Sequence, residues 1–170
     1  MTPSIDIRIA TMLRAMQEVV SPAIDDNNSL AREQAALVIG QLKLLAAQWN
    51  KAEDYAKACL ADLVQSVEGL DAQGGERTQQ ASAGLIAAIA GSADWSAEQH
   101  FKAVMAGADA LVRAADLDGE AAFRTALRKA LLAFSKRQSL RDRSWFQLSG
   151  FDLKPDELHS VDDIIKGHAS

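Results

Sequence analysis

The sequence is poor in the residues that staple, break or decorate a fold. It holds one cysteine, three prolines and only 5% aromatic residues. A single thiol, Cys59, excludes an internal disulfide framework and any zinc site built from several thiolates. Scarce proline leaves long stretches without the residue that most abruptly ends a helix. A basic excess is also missing: 23 Asp and Glu stand against 18 Lys and Arg, a net charge of -5. That balance argues against a general nucleic-acid binder. The longest uncharged run, residues 78–93, is rich in Gly, Ala and Gln. It falls short of the roughly 20 apolar residues a membrane span needs. No basic start followed by an apolar stretch marks a secretory signal. The expectation is a cytoplasmic protein with no membrane and no nucleic-acid partner.

What is abundant is alanine, 32 of 170 residues, followed by 19 leucines. Both are strong helix formers and poor strand markers, so the expected class is all-α. A chain of this length buries about two-thirds of the surface it exposes when unfolded. One domain is expected: an antiparallel helical bundle of about five helices over residues 1–150, with a C-terminal extension, 151–170, carrying a short helix packed on the same domain.

Hydrophobic spacing places the elements. Ile5, Ile9, Met12, Met16 and Val19 recur at steps of 4, 3, 4 and 3, one face of a first helix. Thr2 and Pro3 are its candidate cap and first residue, and Ser21-Pro22 its end. Ala31, Ala35, Val38, Leu42, Leu45, Trp49, Ala52, Ala56, Cys59 and Leu63 continue the same alternation without a slip. The phase predicts one long heptad-phased helix from Ser29 to about Glu68, roughly 60 Å at 1.5 Å per residue. A capping box at Asn50 and Glu53 offers the alternative of a break there. Gly74-Gly75 marks a turn before a helix at 76–90. Ser96 and Gln99 form a capping-box start for the next helix. Small residues on these two (Ala81, Gly84, Ala88 and Gly91; Ala103, Gly107, Ala110 and Ala114) predict close packing between them. A fifth helix is expected from Glu120 to about Gln138 or beyond, and a short one between Asp156 and Lys166.

Motifs with chemistry are few. His100, His159 and His168 lack a glutamate three residues before them, so the paired Glu-x-x-His of di-iron bundles is absent. His-Glu-x-x-His, the phosphate loop Gly-x-x-x-x-Gly-Lys-Ser/Thr and the Gly-x-Ser-x-Gly elbow are missing too. No metal and no cofactor is expected. Cys59 falls in a core phase and reads as a buried structural thiol. His159 stands among Asp156, Glu157, Asp162 and Asp163, a cluster that reads as a solvated acidic face.

The remaining signal is a charge asymmetry. Seven basic residues between Arg124 and Arg143 face a single acid, Asp142. Arg124, Arg128 and Lys129 are the candidate residues for holding a small anion such as a phosphate or carboxylate. Three functions follow. The first is association between copies of the chain, most simply a homodimer, because so long an apolar stripe needs cover. The second is binding of a small anionic or amphipathic ligand in an interhelical pocket. The third is metal-dependent nucleotide hydrolysis. It has the least support, since Glu68-x-x-Asp71 is an isolated acidic pair.

Overall fold

The computed structural model describes residues 2–150 and 152–166. Among these the chain is all-α, with seven α-helices and no strand. Its contacts divide it into two compact units. The first is the chain up to Ala52 together with Arg143–Leu158. The second is Glu53–Asp142 and the chain from His159 on.

In the first unit, α1 (Ile5–Ala15) and α2 (Ser29–Gln48) lie against each other. Ser4, not Thr2, caps α1, its hydroxyl accepting from the Ile7 N–H. The helix does not stop before Ser21-Pro22. It widens into a π turn over Met16–Val20 and tightens into a 3-10 turn over Ser21–Ala23. Pro22 is accommodated there because an N–H at the first positions of a 3-10 turn has no acceptor within the turn, so proline's missing N–H costs no bond. Asn28 caps α2 through the Ala31 N–H.

The expected continuous helix from Ser29 to Glu68 is broken, which raises the helix count above five. It ends at Gln48, turns through 49–51, and resumes as α3 (Ala52–Val67). The break sits where the first unit gives way to the second. An unslipped apolar phase is therefore compatible with two helices that bury their stripes in different cores. The capping box at Asn50 does not form either: the Glu53 carboxylate accepts from the Ala97 N–H instead.

The second unit holds α3, α4 (Glu76–Ala90), α5 (Ala97–Asp118), nearly all of α6 (Ala121–Trp145) and α7 (Val161–Ile165). Its core joins Leu63 and Val67 of α3, Leu85 of α4, Val104, Ala108, Leu111 and Ala115 of α5, and Phe123, Leu127 and Phe134 of α6. The box at Ser96 and Gln99 forms in both directions. α4 and α5 do meet closely, but at Leu85 over Gly107; Gly84 faces open space. The turn before α4 is pinned by the α5–α6 connection. Gly75 N–H donates to the Asp118 carbonyl and Glu120 N–H to the Gln73 carbonyl, both at 2.9 Å. A Cβ on Gly74 would stand 2.7 Å from the Gly119 Cα, so only glycine allows this approach. Phe151 and residues 167–170 of the C-terminal extension lie outside the described residues.

Candidate functional site

The basic residues singled out in the sequence lie on α6. Arg124 is half-buried and Lys129 exposed, while Arg128 donates to Asp116 at 2.5 Å in an exposed ion pair. None of the three lines either of two cavities in the second unit. One, of about 240 Å³, is walled by Val67, Leu70, Leu85, Ile86, Ile89 and Leu111, with Glu68 at its edge. The other, of about 280 Å³, lies against Leu70 and Phe123, with Asp71 and Glu120 beside it. Neither wall contains a lysine or arginine, and both present carboxylates.

Sequence reasoning missed a polar network between α3 and α6, in which Cys59 and Arg141 are buried and Asp142 is exposed. Tyr55, Cys59, Asp62 and Ser66 follow the helical repeat 4, 3, 4 and so share one face of α3. Opposite them stand Arg137, Gln138, Arg141 and Asp142. Arg137 grips Asp62 with two nitrogens, the shorter bond 2.6 Å, and also donates to Ser66 at 2.8 Å. Arg141 donates to the other Asp62 oxygen at 3.0 Å and to Gln138 at 2.7 Å. Gln138 in turn donates to Cys59 Sγ and to Asp142, which also accepts from the Tyr55 hydroxyl at 2.5 Å. The signal was present in the 4-3-4 spacing of polar residues. It was hidden because apolar residues on the same helix fit that spacing too.

Burial in this network keeps its two candidate nucleophiles protonated. Burial pushes the Cys59 thiol up, and hydrogen bonding from Gln138 only partly offsets it. Burial, reinforced by the bond to Asp142, drives the Tyr55 phenol well above its ordinary value. Both groups are neutral near pH 7. Burial also pushes Asp62 up, but the bonds and charges of Arg137 and Arg141 outweigh it and hold the carboxyl below its usual range. Arg141 Nε is buried with no hydrogen-bond partner. One carboxylate thus serves two guanidinium groups.

His100 and several carboxylates have structural duties. His100 Nε2 lies 3.0 Å from the carbonyls of both Ala88 and Ile89, closing the C-terminus of α4, with Trp95 edge-on to the ring. Asp118 accepts from the Arg77 and Thr78 N–H groups at the start of α4 and from the Thr78 hydroxyl. Glu157 pairs with Lys154, and Asp163 accepts from the Ser160 hydroxyl in the first turn of α7. Among the described residues no group of three or more His, Cys, Asp or Glu is placed to hold a metal ion. Among them, too, no helix is long and apolar enough to cross a membrane.

The first unit carries the most conspicuous surface. Of the apolar stripe that starts on α1 and runs into the π turn after it, only Ile9 is buried; Ile5, Met12 and Val19 are exposed. On α2 the structure buries Ala35 and Leu44, while Val38 and Leu45, expected in the core, are 44% and 45% exposed. Leu30 and Leu37 are exposed beside them. The expected face fails for a physical reason. α2 carries charge only at Arg32, Glu33 and Lys43, so most of its circumference is uncharged, and apolar residues lie on both sides of the line of Gln34, Gln41 and Gln48, so its period does not select one side. Comparison of the chain with protein-family models, curated proteins and solved structures gives no match.

Proposed function

We propose that this protein acts by associating with a second copy of itself, through the helices of its first unit, rather than by catalysis. The supporting observation is the apolar surface just described. A helix with apolar side chains on several sides needs cover on several sides, and α2 buries only two residues fully. Large aliphatic side chains are exposed on both of two neighbouring helices, and a covering partner would bury them. A typical specific interface covers about 800 Å² on each partner, a scale that two helix faces can supply. Self-association is preferred to an anionic ligand because the cavities present carboxylates and the candidate cations lie elsewhere on α6.

Light scattering coupled to size exclusion tests this reading over a range of concentrations. The expected mass is twice the 18.2 kDa of one chain. A single-chain mass at every concentration overturns it.

A further inference from the structure

The geometry points to an antiparallel pairing of α2 with α2 of a second copy, about a two-fold axis passing between Leu37 and Val38. This rests on the self-association proposed above and specifies its contact. Six exposed residues of α2 carry it: Leu30, Gln34, Leu37, Val38, Gln41 and Leu45. At 100° per residue they fall within roughly 100° of arc, one continuous stripe. Arg32, Glu33 and Lys43, the charges of the helix, lie outside that arc.

The stripe reads the same in both directions. Its steps are 4, 3, 1, 3 and 4, symmetric about the midpoint of 37 and 38. Reversing one copy against another therefore sets Leu30 on the partner's Leu45, Gln34 on the partner's Gln41, and Leu37 on the partner's Val38. Aliphatic meets aliphatic, and amide meets amide, which donates and accepts at once. That is what an isologous two-fold contact demands: residue i meets j, and j meets i. A parallel pair would match each residue with its own copy whatever the spacing, so the symmetric steps would have no role. Antiparallel packing also sets the two helix dipoles head to tail. The stripe bears no charge, so two copies of an acidic chain do not repel each other across it.

Single-cysteine variants under mild oxidation test this, with buried Cys59 left in place. In the antiparallel pair Leu30→Cys lies about 22 Å from its own copy, 15 residues at 1.5 Å each. That is far beyond disulfide reach. An equimolar mixture of Leu30→Cys and Leu45→Cys is expected to cross-link, and each alone is not. Leu37→Cys or Val38→Cys, next to the axis, is expected to cross-link to itself. Leu37→Glu is expected to weaken the dimer about thirtyfold or more. Efficient self-cross-linking of Leu30→Cys means a parallel pair and overturns the geometry. A dimer by light scattering that cross-links at none of these positions places the contact elsewhere, which overturns the seam but leaves self-association standing. A strict monomer overturns both.

Discussion

Arg141 on α6 and Asp62 on α3 are joined at 3.0 Å, and Arg141 is only 3% exposed. A buried guanidinium depends on its carboxylate, because removing the partner leaves a charge with neither water nor counterion. Asp62→Ala is expected to cost about 3–5 kcal/mol of stability in urea denaturation. Asp62→Leu combined with Arg137→Met and Arg141→Met, which removes the charges together, should cost markedly less than Asp62→Ala alone. A milder loss for Asp62→Ala than for the triple variant would show that the pair does not hold α3 to α6.

Acid should weaken the first unit through Arg143 and Asp152. Arg143 grips Asp152 with two nitrogens at 2.8 and 2.9 Å. That bond, aided by the Lys154 N–H, holds the Asp152 carboxyl down to about 2. A depressed carboxylate stabilises the fold fully above its unfolded value, about 3.9, and loses that contribution as pH falls through the folded value. In the window between, the unfolded chain binds more protons, so stability rises with pH. Thermal melts from pH 5 to pH 2 should show a decline that Asp152→Asn makes shallower. An unchanged slope in that variant would remove Asp152 from the account.

Cys59 should be silent in the native protein. The thiol is buried, and burial keeps it protonated near neutral pH, whereas the thiolate is the reactive form. A colourimetric thiol reagent is expected to label it only as fast as the chain unfolds, with full labelling in denaturant. Labelling within seconds under native conditions would contradict the burial described.

The helical class was legible in the sequence because alanine and leucine dominate and proline is rare. The caps at Ser96 and the helix at 76–90 were legible because local chemistry fixes them. The break near Asn50 was visible only as an alternative, since periodicity reports the phase of a stripe and not which core receives it. Val38 and Leu45 were misplaced for a related reason: on a helix with apolar residues on several sides, a 4-3 pattern can be traced along more than one face. Of the polar network of Tyr55, Asp62, Arg137 and Arg141 only the α3 half left a trace, the 4-3-4 spacing of Tyr55, Cys59, Asp62 and Ser66. Its partners are about 75 or more residues apart in the chain, and only the fold brings them together.

The two glycines Gly74 and Gly84 should respond oppositely to alanine. At Gly74 a methyl group would meet the Gly119 Cα at 2.7 Å and the Asp118 carbonyl at 2.9 Å, both backbone atoms that cannot swing aside. Substitution there must separate the turn before α4 from the α5–α6 connection, breaking the two 2.9 Å backbone bonds that join them. At Gly84, inside α4, nothing lies within 4 Å of the added carbon. Gly84→Ala then only reduces the freedom of the unfolded chain and removes a weak helix former, a gain of about 0.5–1 kcal/mol. Melting temperatures of the two variants are expected to fall on opposite sides of the parent, Gly74→Ala below and Gly84→Ala above. If both rise, the turn is not closed in the way these distances require; if both fall, Gly84 is covered by something, and the surface of α4 around it becomes a contact site.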